Sequence, residues 1–189
     1  MTLSKLFTVL YCVWAAFELL LQIVTRTSRR GGTVKDRGSL PLLLVVIFCS
    51  ISAAFWYGNT HTYAMPAGWH WLKIPALILM LAGLAIRVTA IMTLGVSFST
   101  NVAIHATQTL RRTGLFRWVR HPSYTGMLLI FAAIGLYLCN WASLAVMLLF
   151  PTAALLYRIH VEEAALTAAF GQQYVEYSGL TNRLIPGIY

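Results

Sequence analysis

Acidic side chains are scarce in this chain: five Asp and Glu stand among 189 residues, against 14 Lys and Arg. Charged residues of both signs amount to 10%, far below the roughly one quarter found in soluble domains. Hydrophobic residues make up 59% and the mean hydropathy is +0.72. A composition this poor in charge excludes an ordinary soluble domain and describes an integral membrane protein. Cysteine is sparse too. Cys12, Cys49 and Cys139 all fall within apolar segments and show no metal-ligand spacing, so they read as small core hydrophobes and argue against redox or metal chemistry. Internal repeats, linkers and low-complexity runs are absent, which makes residues 1–189 one domain. The net charge of +9 would suit nucleic acid, but the cations sit in short clusters between apolar runs. Cytoplasmic loops and anionic lipid headgroups account for that placement, and no basic patch with interleaved aromatics lies on a soluble domain.

What the chain does have is a series of long hydrophobic runs. They predict an all-α membrane protein with about five helices, at residues 3–25, 39–57, 72–94, 123–139 and 141–160. The first run is about 34 Å long as helix, too long for a signal-peptide core, and no small-residue cleavage site follows it, so it is expected to be retained. The second is started by Ser39, with Pro41 in its first turn, a favoured place for proline. Residues 26–38 carry Arg26, Arg29, Arg30, Lys35 and Arg37 against the single acid Asp36, which places this loop in the cytoplasm. Residues 58–71 lack Lys and Arg and are rich in Trp, Tyr and His, the composition of an outer interfacial turn. Arg111, Arg112, Arg117 and Arg120 make residues 95–121 cytoplasmic again. The fourth and fifth helices form a hairpin joined at Asn140, and the amphiphilic tail, residues 161–189, returns to the cytoplasm. An odd number of spans with the tail inside puts the N-terminus outside, in what is expected to be a bacterial inner membrane.

Two charges fall within spans, Glu18 and Arg87. Ionisable groups in a bilayer are costly unless paired or used, so these two are expected either to form a mutual ion pair or to serve a site. The remaining polar chemistry follows Gly95. Residues 97–104 alternate small and β-branched side chains and look irregular or strand-like, and Thr113-Gly114 marks a turn. Then comes Arg120-His121-Pro122-Ser123-Tyr124-Thr125-Gly126. Pro122 is suited to open a helix, which makes His121 extended, and free N–H groups at that helix start would suit a carboxylate. By itself this is the composition of a span boundary. A second polar cluster, Arg158-Ile159-His160-Val161-Glu162-Glu163, lies at the far end of the hairpin. Arg158 and Glu162 share a helix face at i, i+4, where an ordinary ion pair is the simplest expectation. The hairpin returns that face to the depth of His121, so the two clusters meet at the head of an apolar bundle. The tail then supplies Phe170, Gly171, Tyr174, Tyr177 and the run Arg183-Leu184-Ile185-Pro186, able to fold over the same place.

In these segments the chain resembles the isoprenylcysteine carboxyl methyltransferase family, in its small prokaryotic-type form. The resemblance rests on Leu94-Gly95 through Phe98, on Thr113, Gly114, Phe116 and the stretch from Arg120 to Gly126, on Arg158, Glu162, Glu163, Leu166, Phe170, Gly171, Tyr174 and Tyr177, and on the closing Arg183 to Pro186. It covers roughly the C-terminal half in the right order. It implies a membrane methyltransferase whose S-adenosyl-L-methionine is held, and S-adenosyl-L-homocysteine released, in a cytosol-facing pocket built from the last two helices and the C-terminal segment. The cofactor contacts it implies are Gln108, Thr109, Leu110, Arg111, Phe116, His121, Pro122, Ser123, Tyr124 and Glu162, with Arg158 facing the methyl acceptor and Arg158 and Glu162 serving catalysis. The chain departs from the eukaryotic pattern at Gln108, where His is expected, and at Phe116, where Tyr is common.

The acceptor implied is a prenylated or other lipophilic molecule drawn from the membrane, with no nucleic acid and no metal involved. A carboxylate acceptor is already ionised near neutrality, with a reference pKa of about 4, and needs no base. An amine acceptor, as in a phospholipid N-methyltransferase, would need one, with His121, Tyr124 or Glu163 as candidates. Two further readings stay open: an NADPH-dependent sterol-type membrane reductase, which shares an Arg-His-Pro ending, and a non-catalytic assembly or transport subunit, for which mid-bilayer polar residues would be expected. The soluble type of methyltransferase is excluded, because no strand followed by a glycine-rich cofactor loop occurs.

Overall fold

The computed structural model describes residues 2–25, 33–34, 36, 38–100, 103–104 and 109–188. Six helices carry almost all of it: α1 (Leu3–Val24), α2 (Ser39–Gly58), α3 (Lys73–Leu94), α4 (Pro122–Tyr137), α5 (Trp141–Phe170) and α6 (Gln172–Leu180). Among the described residues, strand pairing is confined to a two-residue antiparallel ladder between β1 (Thr33–Val34) and β2 (Ala103–Ile104), in the register Thr33 to Ile104. Among the described residues of the stretch 97–104, expected to be irregular or strand-like, Ala103 and Ile104 form strand. Residues Gly95–Ser97 form a 3₁₀ turn instead.

Among the described residues, four segments are long and apolar enough to cross a membrane: α1, α2, α5, and α3 together with the preceding 3₁₀ turn Ala67–Leu72. The expected fourth span, α4, has 16 residues. At 1.5 Å per residue it is about 24 Å long, short of the roughly 30 Å hydrocarbon core. The last span departs from expectation in the opposite direction. Far from stopping near residue 160, α5 continues to Phe170, 30 residues in all, because residues 161–170 are mostly Ala, Glu and Leu, strong helix formers. Gly171, at φ +54°, ends it. The Arg158 to Glu163 cluster therefore sits inside a helix.

Helix contacts follow from small residues. A Cβ on Gly126 of α4 would lie 2.6 Å from the Gly83 carbonyl oxygen and 2.9 Å from Arg87 Cβ, so α3 and α4 touch backbone to backbone. Gly135 plays the same part against Leu144 on α5. Met80, Ile130, Phe131, Ile134, Met147 and Leu155 fill the core between these helices. At the hairpin turn Asn140 caps α5 by accepting from Ser143 N (3.1 Å) and donates to the Tyr57 and Thr62 carbonyls (3.0 and 2.8 Å), which fixes the end of α2 to the turn. Trp56, Tyr63, Trp69, Trp71 and Trp141 are exposed around that end, an aromatic girdle of the kind found at a membrane interface. Apolar side chains also point outward along the spans, Phe48 at 73% exposure among them. For the same reason Cys12 and Cys49 are exposed, not core residues as expected, and only Cys139 is buried. In a chain surrounded by lipid, hydrophobicity does not select the interior.

Adding a methyl group at the α3–α4 contact would overpack it, at a cost of about 1–3 kcal/mol. Gly126→Ala is expected to lower the thermal midpoint of detergent-solubilised protein by about 2–4 °C per kcal/mol lost. Gly68→Ala, where an added Cβ meets nothing within 4 Å, should leave it unchanged. Equal midpoints for the two variants would contradict the tight approach.

Candidate active site

The close approach of α3 and α4 sets the depth of the site. Arg87 donates through Nη1 to Ser123 Oγ (2.7 Å) in the first turn of α4, and its Nε and Nη2 pair with both carboxylate oxygens of Glu18, Nη2 at 2.6 Å. Trp14 Nε1 donates to the same carboxylate at 3.2 Å. The two intramembrane charges are thus a mutual ion pair, and its second job is to hold the head of α4. Past Arg87, α3 continues to Leu94, about 10 Å further. Past Arg158, α5 continues to Phe170, about 18 Å further. The start of α4 therefore lies below the rim formed by its neighbours and floors a cleft.

Pro122 occupies the first turn of α4, and His121 before it is non-helical (φ −124°, ψ 58°). The tail runs alongside: Asn182 N donates to the Trp118 carbonyl (3.2 Å), Arg120 N to Asn182 (2.8 Å) and His121 N to Arg183 (3.0 Å). Thr125 Oγ1 donates to the Leu184 carbonyl at 2.7 Å. Glu163 clamps this arrangement. Its carboxylate accepts from Arg120 Nε (2.8 Å) and Arg183 Nε (3.0 Å) and lies 3.4 Å from His121 Nε2. Arg120 also donates to the Ser178 carbonyl (2.7 Å) and to that of Thr181. The expected anion site at the start of α4 is largely used up, because His121 N is bound to the Arg183 carbonyl (3.0 Å), Tyr124 N to the His121 carbonyl (3.0 Å), and Pro122 has no N–H.

Inside the cleft a second chain of polar contacts joins α4 to α5. Tyr124 Oη donates to Glu162 Oε2 at 2.7 Å and accepts from Arg158 Nε at 2.9 Å. Arg158, 3% exposed, also donates through Nη1 to Asp36 Oδ1 (2.9 Å) and Ser39 Oγ (3.0 Å), and through Nη2 to the Thr100 carbonyl. His121 Nδ1 lies 3.8 Å from Glu162 Oε2, and the His121 ring stacks on Tyr124 with centroids 5.5 Å apart.

The cleft has a volume of about 940 Å³ with its mouth included. Thr109, Leu110, Arg111, Phe116, His121, Pro122, Ser123, Tyr124, Arg158 and Glu162 all line it, so ten of the residues expected from the sequence meet in one place. Gln108 lies outside the described residues. Leu94, Ser97, Phe98, Ser99, Arg120, Leu166, Phe170, Tyr174 and Tyr177 complete the wall. Phe170, Tyr174 and Tyr177 were visible as a pattern able to fold back but not as site residues. Asp36 lies outside the expected set, and its one sequence signal is that it is the single acid in a cationic loop. Tyr177 Oη donates to the Phe116 carbonyl at 2.6 Å. Tyr174 is different: among the described residues its buried hydroxyl has no partner. Burial raises the Tyr177 phenol to about 12 and that of Tyr174 further still, so both are neutral donors at neutral pH.

Such a cleft suits a ligand with an aromatic part and a cationic part. Phe116, Phe170 and Tyr177 can flank a flat ring, the unpartnered Tyr174 hydroxyl can bond a ring or sugar heteroatom, and Glu162 can face a positive charge.

Residues 76–168 match the family model for the isoprenylcysteine carboxyl methyltransferase (ICMT) family. Over that segment, just under half of its length, the chain is similar to this family. It is 32% identical over 121 residues to the protein-S-isoprenylcysteine O-methyltransferase of Tribolium castaneum, an overlap of 63% of this chain and 43% of that protein. Against protein-S-isoprenylcysteine O-methyltransferase A of Arabidopsis thaliana it is 34% identical over 110 residues, 57% of this chain and 56% of the other. A solved structure of the eukaryotic intramembrane Ras methyltransferase ICMT superposes with a TM-score of 0.69 and 29% identity, covering 75% of this chain and 52% of that one. The chain thus spans about half the length of the relatives it matches. The matched segment includes the polar residues from His121 to Glu163, while Asp36, Tyr174 and Tyr177 lie outside it.

The two wall tyrosines should respond differently to loss of their hydroxyls. Tyr177→Phe strands the Phe116 carbonyl and is expected to cost about 1–3 kcal/mol of stability. Tyr174→Phe removes an unpartnered group and should leave the thermal midpoint unchanged or raised. The reverse ranking would show that Tyr174 has a partner of its own.

Proposed function

We propose that this protein transfers a methyl group from S-adenosyl-L-methionine to a lipophilic acceptor, by O-methylation of the carboxyl of an isoprenylcysteine-type molecule. The observation that carries the reading is the convergence of Glu162, Tyr124, Arg158 and an aromatic wall in one cleft sunk below the rim of an apolar bundle. By the distribution of cations, that end faces the cytoplasm and the N-terminus lies outside.

The chain's residues divide the work as follows. Phe116, Phe170, Tyr174 and Tyr177 bind the adenosine part, Arg111 at the mouth attracts the cofactor's carboxylate, and Glu162 faces its positive end. The cofactor supplies an electrophilic methyl on sulfur. His121 and Tyr124 form the inner wall, with Tyr124 Oη keeping the Glu162 carboxylate in place. The acceptor's carboxylate is ionised without help. What it needs is alignment and exclusion of water, which the recessed cleft provides. Arg158 orients it by hydrogen bonding. Because Asp36 already balances the Arg158 charge, the acceptor oxygen keeps the electron density that makes it a nucleophile. An amine acceptor is less well served, since Glu163 is committed to Arg120 and Arg183 and the Tyr124 proton to Glu162.

Calorimetry on detergent-purified protein tests this reading. S-adenosyl-L-homocysteine should bind saturably, and saturable binding of NADPH alone would overturn the proposal. Glu162→Ala is expected to weaken the complex about tenfold, the loss of one charge-assisted contact. Arg158→Ala should bind within about threefold of the native protein, under 1 kcal/mol, yet lose turnover. Equal loss of binding in both variants would show that Arg158 belongs to the cofactor's half of the site.

A further inference from the structure

Arg158 and Glu162 are four residues apart on one helix, the spacing at which an Arg and a Glu ordinarily pair. Here they do not: among the described residues, the ion pair of Arg158 is with Asp36 (Nη1 to Oδ1, 2.9 Å). Glu162 takes instead the hydroxyl of Tyr124. Asp36 comes from the loop before α2, 122 residues away in sequence. It is 9% exposed and locked in place, accepting from Ser39 Oγ (2.8 Å), Ser39 N (2.9 Å) and Leu40 N (3.0 Å) at the start of α2. Both acceptors of the Arg158 Nη1 group, Asp36 and Ser39, thus belong to α2 and its approach, while its Nε reaches Glu162 only through the Tyr124 hydroxyl, without direct contact between the two charges.

We infer that Asp36 is a positioning residue whose task is to keep Arg158 from neutralising Glu162. The inference rests on the reading of Glu162 as the group that meets the cofactor's positive charge. A carboxylate already paired with an arginine has little attraction left for a cationic ligand, because the two charges largely cancel at ligand distance. Removing the charge of Asp36 leaves Arg158 with an unbalanced charge in an apolar interior, and the nearest remaining anion on its own helix face is Glu162. Asn at position 36 keeps a side-chain oxygen for Leu40 N, and the bond from Ser39 N to the backbone carbonyl of residue 36 is unaffected.

The test is the charge dependence of binding. Asp36→Asn is expected to weaken S-adenosyl-L-methionine about tenfold, one charge-assisted contact, while 5′-methylthioadenosine, which has the same aromatic part and no charge, binds within about threefold. Adding Arg158→Gln to Asp36→Asn takes away the cation that would capture Glu162, so affinity for S-adenosyl-L-methionine should recover to that of Arg158→Gln alone. Equal weakening of both ligands, or no recovery in the double variant, would overturn the inference. A second measurement needs no cofactor. Glu162→Gln should lower the thermal midpoint by at least about 3 °C more in the Asp36→Asn background, where it breaks a new buried pair, than in the native one. Identical shifts would show that Arg158 never turns to Glu162, whatever the ligand of the cleft is. Absence of S-adenosyl-L-methionine binding to the native protein, with unequal shifts, would instead retain the role of Asp36 and refute the cofactor.

Discussion

An unpaired charge is very costly in an apolar interior, and this protein has only five carboxylates to balance its cations. Four of the five lie in one layer. Glu18 holds Arg87, Asp36 holds Arg158, and Glu163 holds Arg120 and Arg183. Each pair joins segments far apart in sequence: α1 to α3, the loop before α2 to α5, and α5 to the α4 approach and the tail. The bundle is tied together at the depth where its chemistry is placed, and each tie ends on a residue at or next to the cleft. Glu162, the remaining acid of the layer, has no arginine within ion-pair distance among the described residues. Its exception is intelligible only because the other three are satisfied.

Packing and electrostatics constrain each other here. The backbone contact at Gly83 and Gly126 fixes how far α4 slides along α3, and that position puts Ser123 within reach of Arg87. From there His121 and Tyr124 face α5 at the level of Glu162 and Glu163. A slip of one helical turn, about 5.4 Å, would break every one of these contacts. Small residues in the spans therefore act at a distance on the site, through the register of two helices.

Much of this was legible in the sequence, for identifiable reasons. Hydropathy located the starts of the long helices to within a residue or two, because lipid demands continuous apolar runs. That the segments around His121 and Arg158 meet was readable because Pro122 must open a helix and because hairpin geometry returns Arg158 to the same depth, whereas Thr109 to Arg111 and Phe116 followed from the family resemblance alone. The end of α5 was misplaced, since Arg158 to Glu163 looks like a span boundary when read as composition. In the structure Arg158 is buried, Glu162 and Glu163 are half-buried, and the helix runs on past them. Asp36 and its partner are separated by most of the chain, so no local spacing connects them. The i, i+4 relation of Arg158 and Glu162 pointed to the wrong pair, since a local rule cannot see a competitor arriving from another loop. The anion site at the start of α4 is depleted by a simple count: Tyr124 N bends back onto the His121 carbonyl, His121 N goes to the tail at Arg183, and proline supplies none.

The shortness of α4 has a consequence for how its cleft would meet a lipophilic molecule. At about 24 Å the helix is shorter than the roughly 30 Å hydrocarbon core, and none of its residues is exposed, so its recessed head forms a floor walled by the longer α3 and α5. On the proposed function, an acceptor with a long apolar chain partitions into the membrane, and the concentration that would govern its encounter with the cleft is its mole fraction among the lipids, not its amount per volume of solution. Diluting the membrane with more lipid would then be equivalent to diluting that acceptor, even when the total of both in the tube is unchanged.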